Sequence, residues 1–115
     1  MCRTTNLLAL IAALRLSTHV GFDPLRLQVD VMVSEDFVGE ACIELEGEPV
    51  WYWSCWTVSA LDRTRHADRS YTLPFGGYKV RLWEGGTIKA ETSLVVKCGD
   101  EGSSNRSRCE QEAVE

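Results

Sequence analysis

The sequence predicts an all-β fold, a single antiparallel β-sandwich of six to seven strands. Three observations carry this. From Leu25 to Val33, apolar residues alternate with Arg26, Gln28, Asp30 and Met32, the period of a strand buried on one face. Cys42 and Cys55 stand at equal distances either side of Gly47-Glu48-Pro49-Val50, so a hairpin centred on that turn sets them face to face. Two glycine pairs, Gly76-Gly77 and Gly85-Gly86, flank Tyr78-Lys79-Val80-Arg81-Leu82-Trp83 and mark chain reversals at both its ends.

The elements follow in order. Residues 1–21 read as a signal peptide, with Arg3 in a positive n-region and Leu7 to Leu14 as a short apolar core. Arg15 interrupts that run, and the alternative is an amphipathic helix capped by Thr4 or Thr5. The apolar run is too short to span a bilayer. The sandwich is expected over residues 22–98 and a polar tail over 99–115. Gly39 to Glu46 places Ala41, Ile43 and Leu45 on one face, with Glu40, Cys42, Glu44 and Glu46 on the other. Val50 to Val58 is aromatic and β-branched throughout, as strands favour. The hairpin register sets Leu45 against Tyr52, Ala41 against Trp56, Glu46 against Trp51 and Glu44 against Trp53. Asp62 to Arg69 is charged without an apolar period and reads as a loop. In the last hairpin a three-residue loop, Gly85-Gly86-Thr87, pairs Leu82 with Ala90, Val80 with Thr92, Tyr78 with Leu94 and Arg81 with Glu91.

A chain of 115 residues makes one domain with a core of its own. Its net charge of −5 argues against binding nucleic acid through phosphate contacts. Glu35, Asp36, Glu40, Glu44, Glu46 and Glu48 form an acidic block. Arg63, Arg65, Arg69, Lys79 and Arg81 dominate a later basic stretch, whose first three arginines could meet an acidic partner or a sulfated glycan. Five cysteines occur without any CxxC, and His19 and His66 are the only histidines, so zinc spacing is absent and no metal or cofactor is expected. With Cys2 inside the leader, Cys42, Cys55, Cys98 and Cys109 make an even set with three possible connectivities. The hairpin symmetry favours Cys42–Cys55, and short spacing favours Cys98–Cys109. Disulfides, the leader and the glycosylation sequon at Asn105-Arg106-Ser107 agree on a secreted protein or one of the endoplasmic reticulum lumen.

The run Tyr71-Thr72-Leu73-Pro74-Phe75-Gly76-Gly77-Tyr78-Lys79-Val80-Arg81 resembles the last strands of fibronectin type III and related immunoglobulin-like sandwiches. The resemblance implies that fold, with Tyr78 tying a corner through a hydrogen bond from its hydroxyl to upstream backbone. The antibody-type pattern is not met, since nothing like Asp-x-Ala-x-Tyr-x-Cys precedes Cys98.

Catalytic arrangements are thin. The glycine pairs lack the spacing of a phosphate loop. His66 and Asp68 have no nucleophile motif beside them, and Glu44 with Glu46 are ordinary neighbours on a solvated strand face rather than a glycosidase pair. No enzyme is expected. The stronger feature is aromatic: the register turns Tyr52 and Trp56 to the core, and Trp51 and Trp53 outward beside Glu46 and Glu44. Exposed indoles beside carboxylates suit a binding surface. The expected function is a secreted or luminal, non-catalytic module binding a protein partner through Trp51, Trp53, Glu44 and Glu46. One alternative is a hydrolase inhibitor that inserts the hairpin tip Glu46-Gly47-Glu48-Pro49 into a cleft; another is carbohydrate recognition on the same tryptophans.

Overall fold

A computed structural model describes residues 12–48 and 50–98. It is all-β, with eight strands and one short 3₁₀ turn. The strands are β1 (Ala13–Leu16), β2 (Val20–Phe22), β3 (Leu25–Met32), β4 (Gly39–Glu46), β5 (Trp51–Val58), β6 (His66–Leu73), β7 (Gly76–Glu84) and β8 (Thr87–Lys97). They form a three-stranded sheet in the order β1-β3-β6 and a five-stranded sheet in the order β2-β8-β7-β4-β5.

Alternation builds the core between the sheets. Leu27, Val29 and Val31 of β3 face Ala41, Ile43 and Leu45 of β4, Tyr78, Val80 and Leu82 of β7, and Leu94 and Val96 of β8. Each large aliphatic among them contributes about 1.5–3 kcal/mol by leaving water. A one-residue slip in any of these strands would turn its apolar set to solvent, so the register is strongly fixed.

The β4–β5 register is the one the cysteine symmetry predicts, including Leu45 with Tyr52, Ala41 with Trp56, Glu44 with Trp53 and Glu46 with Trp51. Cys42 and Cys55 are joined, their Cα atoms 4.0 Å apart. In β7–β8 the expected pairs also form: Leu82 with Ala90, Val80 with Thr92, Tyr78 with Leu94 and Arg81 with Glu91. The extra residue sits elsewhere than expected. Glu84 pairs with Thr87 and Trp83 with Ile88, so the turn is the two residues Gly85-Gly86, and the register shifts at Leu82/Trp83 instead. Lys89 is therefore the bulged residue. Gly85 takes φ +63°, a left-handed position where a side chain would be strained.

Three expectations are corrected. First, the amphipathic helix offered as the alternative for residues 1–21 is not formed by its described residues: Ala13–Leu16 is a strand, and so is Val20–Phe22, which runs one residue past that segment. β1 pairs antiparallel with β3, and β2 pairs parallel with β8, so the sandwich is not wholly antiparallel. Arg15, which breaks the apolar run, simply points outward between half-buried Leu14 and buried Leu16. Second, the described residues form eight strands where six or seven were expected. Third, the charged stretch from Asp62 to Arg69 is a 3₁₀ turn at Asp62–Thr64 followed by the start of β6. Its period is hidden because an inward position is Arg69 rather than an aliphatic. That guanidinium donates to Ser54 Oγ at 2.7 Å and lies 5.5 Å from the Trp56 ring, which joins the free margins of the two sheets.

Tyr78 is buried and its hydroxyl donates to the Pro74 carbonyl at 2.6 Å, the corner bond expected of it. A side chain at Gly47 would run into the Tyr78 ring, so the β4–β5 turn and this corner pack against each other only because residue 47 is glycine.

Candidate binding site

Central placement of β4 decides the geometry of the site. It lies between β5 and β7, so an outward side chain on β4 is flanked on both sides. Glu44 pairs with Trp53 across one ladder and with Arg81 across the other. It is only 7% exposed, not solvated as its outward position in the sequence suggests. Its carboxylate accepts three hydrogen bonds: Trp51 Nε1–H at 2.9 Å, Trp83 Nε1–H at 2.9 Å and Arg81 Nη1–H at 3.2 Å. Burial pushes the Glu44 carboxyl upward, but these three donors and the Arg81 charge outweigh it and hold the pKa below its ordinary 4.5.

Arg81 in turn reaches three carboxylates. Besides Glu44, it donates from Nη1 to Glu46 at 2.7 Å and from Nε to Glu91 at 2.6 Å. Those bonds raise its pKa further above the ordinary arginine value, so it stays charged. Arg81–Glu91 is the cross-strand pair read from the β7–β8 register.

Over this polar base stand the indoles. Trp51 is 61% exposed and Trp53 47%. Their rings lie 6.1 Å apart, and Trp53 lies 5.6 Å from Trp83 of β7, within the range of favourable tilted aromatic pairs. Two of the three indole N–H groups are fixed on one carboxylate, so the rings are oriented before anything binds. The sequence reading found Trp51, Trp53, Glu44 and Glu46 on this face but missed Trp83 and Arg81. Their partners lie 39 and 37 residues away on β4, and only a β4–β7 register could have brought them in. Tyr52 and Trp56 do turn inward. Tyr52 remains 40% exposed at the open margin, where its ring stacks 5.1 Å from Tyr71, and Trp56 donates from Nε1 to the Thr64 carbonyl at 3.0 Å.

Other candidates separate from this cluster. Arg65 donates twice to backbone, to Ser34 and Phe37 carbonyls at 2.8 Å each, and Arg69 is held by Ser54 and Trp56; Arg63 is exposed. A joint acidic-partner site on the three arginines is therefore not assembled. His66 and Asp68 are exposed on the outer face of β6, away from the tryptophans. Glu40 lies beside Cys42 and Cys55, but sulfurs joined to each other offer no thiolate to a metal. Cys98 is disulfide-bonded. Asn105 and Cys109 lie outside the described residues, as does the hairpin-tip Pro49. No helix among the described residues is long and apolar enough to cross a membrane.

No family model matches the chain, and no curated protein matches it in sequence.

Proposed function

We propose that this protein is a non-catalytic binding module of the secretory pathway or extracellular space, which engages a protein partner through the outer face of the five-stranded sheet. The observation that carries the reading is the trio Trp51, Trp53 and Trp83: Trp51 and Trp83 are held by hydrogen bonds to one buried carboxylate, and the Trp53 ring packs against both of them while half exposed. Large rigid aromatics dominate interface energetics, and orienting them beforehand lowers the entropy lost on binding. Arg81, Glu46 and Glu91 supply a charged margin, the usual partition of an apolar centre and polar rim. The Cys42–Cys55 bridge fits an oxidising compartment.

The immunoglobulin-like assignment of the sandwich belongs to the same proposal. It is supported by the Tyr78–Pro74 corner bond and by the adjacency of β8, β7 and β4, the neighbour order of the C, F and G strands in such domains. The disulfide departs from the antibody pattern by lying within one sheet.

The test is selective enrichment. Immobilised protein is exposed to secreted proteins from its source, in parallel with Trp51→Ala and Trp53→Ala. A partner retained by the parent and lost by both variants, each with an unaltered melt, is the expected result. Equal retention by all three refutes the face as the site. Binding on a glycan array that depends on the same tryptophans would transfer the site to carbohydrate.

A further inference from the structure

We propose that the free margin of β5 is a self-pairing edge, at which two copies of this chain join antiparallel to make one continuous sheet of ten strands, five from each. The inference is independent of the tryptophan face above, because it rests on main-chain groups.

β5 ends the five-stranded sheet, and two contacts fix which of its backbone groups point away from β4. The Glu40 carbonyl accepts from Gly85 N–H on the β7 side, and Gly47 N–H donates to the Val50 carbonyl across the hairpin. Even-numbered residues of β5 therefore bond to β4. In the antiparallel pattern the alternate residues then face outward, so Trp51, Trp53, Cys55 and Thr57 hold their N–H and C=O groups at the free edge. The 4.0 Å Cα separation of Cys42 and Cys55 agrees, being the close spacing of a pair without mutual hydrogen bonds. Among the described residues these outward groups have no ladder partner.

Long free edges ordinarily carry charges that block pairing. β6, the other long edge, has His66, Asp68 and Arg69, and β1 has Arg15. β5 reads Trp-Tyr-Trp-Ser-Cys-Trp-Thr-Val, eight residues without a charge. Antiparallel pairing of such a strand with itself sets no like charges opposite each other. It also closes after two copies, as a two-fold interface must. The nearest acidic residues, Glu40 and Glu46, are on β4. In the paired sheet the two β4 strands would be three strand spacings apart, about 14 Å, beyond the Debye length of about 8 Å at physiological salt. The net charge of −5 therefore does not prevent the contact. The tryptophan row, which now stops at the edge, would continue across the two-fold axis into the second copy.

The experiment is sedimentation over a wide concentration range, paired with residue-resolved amide exchange. The expected result is a monomer–dimer equilibrium in which the amides of Trp51, Trp53, Cys55 and Thr57 become protected as dimer forms. Those of Tyr52, Ser54 and Trp56 should be protected throughout by β4. Trp53→Pro removes an outward donor that β4 does not use, and should weaken association about tenfold or more. Trp53→Ala keeps that donor and should still dimerise, though it lacks the indole needed by the tryptophan face. A monomer at every concentration overturns the proposal. So does a dimer whose outward amides still exchange freely, or a monomer in which they are already protected.

Discussion

The two outward faces of this sandwich are built from the same alternating strands, yet they hold their side chains very differently. On the three-stranded sheet, Arg26, Asp30, His66, Asp68 and Thr72 stand in solvent, with Gln28 and Ser70 joined across β3–β6 at 2.7 Å. On the five-stranded sheet the corresponding positions hold a disulfide, a nearly buried carboxylate, an arginine shared among three acids, and three tryptophans. A sheet face left to water needs only polarity. A face whose side chains are tied to one another has spent conformational freedom in advance, and that is what a binding surface gains from.

The sharpest way to break this comparison is to remove one cross-strand pair from each face. Cys42→Ala with Cys55→Ala should cost about 3 kcal/mol, the chain-entropy value for a loop of this size. Gln28→Ala with Ser70→Ala should cost about 0.5 kcal/mol or less, as exposed polar pairs do. Denaturant midpoints measure both, and equal losses would remove the distinction between the faces.

Next in size is Glu44→Ala, expected to cost about 2 kcal/mol because Trp83 and Arg81 lose a charged acceptor in a half-buried setting. Tryptophan emission should change with it as the rings are released. The same carboxylate predicts an acid dependence. Its folded pKa lies below the ordinary 4.5, so its contribution is present above that pH and is lost as pH falls through the depressed value. Arg81 stays protonated across this window. A tryptophan emission transition below pH 4.5 that is absent in Glu44→Gln is the expected outcome of an acid titration.

Two of the inward tyrosines, Tyr78 and Tyr71, give the smallest effects, and opposite ones. Tyr78→Phe loses the bond to the Pro74 carbonyl and should cost about 1 kcal/mol. The Tyr71 hydroxyl is buried and has no acceptor or donor among the described residues, and burial raises its pKa. Tyr71→Phe should therefore leave the denaturant midpoint unchanged or raise it slightly. A matching loss in both variants would show that the Tyr71 hydroxyl is bonded.

How much of this is readable in the sequence depends on separation along the chain. The β4–β5 and β7–β8 registers join neighbours, so turn residues and alternation specify them, and with them Cys42–Cys55, Arg81–Glu91 and the outward sense of Trp51 and Trp53. β6 escaped because Arg69 occupies an inward position, satisfied by Ser54 and Trp56 on a strand of the other sheet. β1 and β2 escaped because a four-residue and a three-residue strand leave too little alternation to compete with an apolar run. Glu44 looked solvated for a related reason: its burial comes from β7, and the β4–β7 pairing is a property of the whole sheet. Trp83 entered the site by the same long-range route.

Thermal and denaturant melts of Trp51→Ala and Trp53→Ala test the central claim, that these indoles form a surface and not a second core, before any partner is in hand. Each variant is expected to lose at most about 1 kcal/mol, a shift of a few degrees, since each ring is about half in water and its neighbours can turn to solvent. A loss of about 3–5 kcal/mol in either, the range for a core aromatic cut to alanine, would mean that the tryptophans hold the sheet together, and would contradict the binding face.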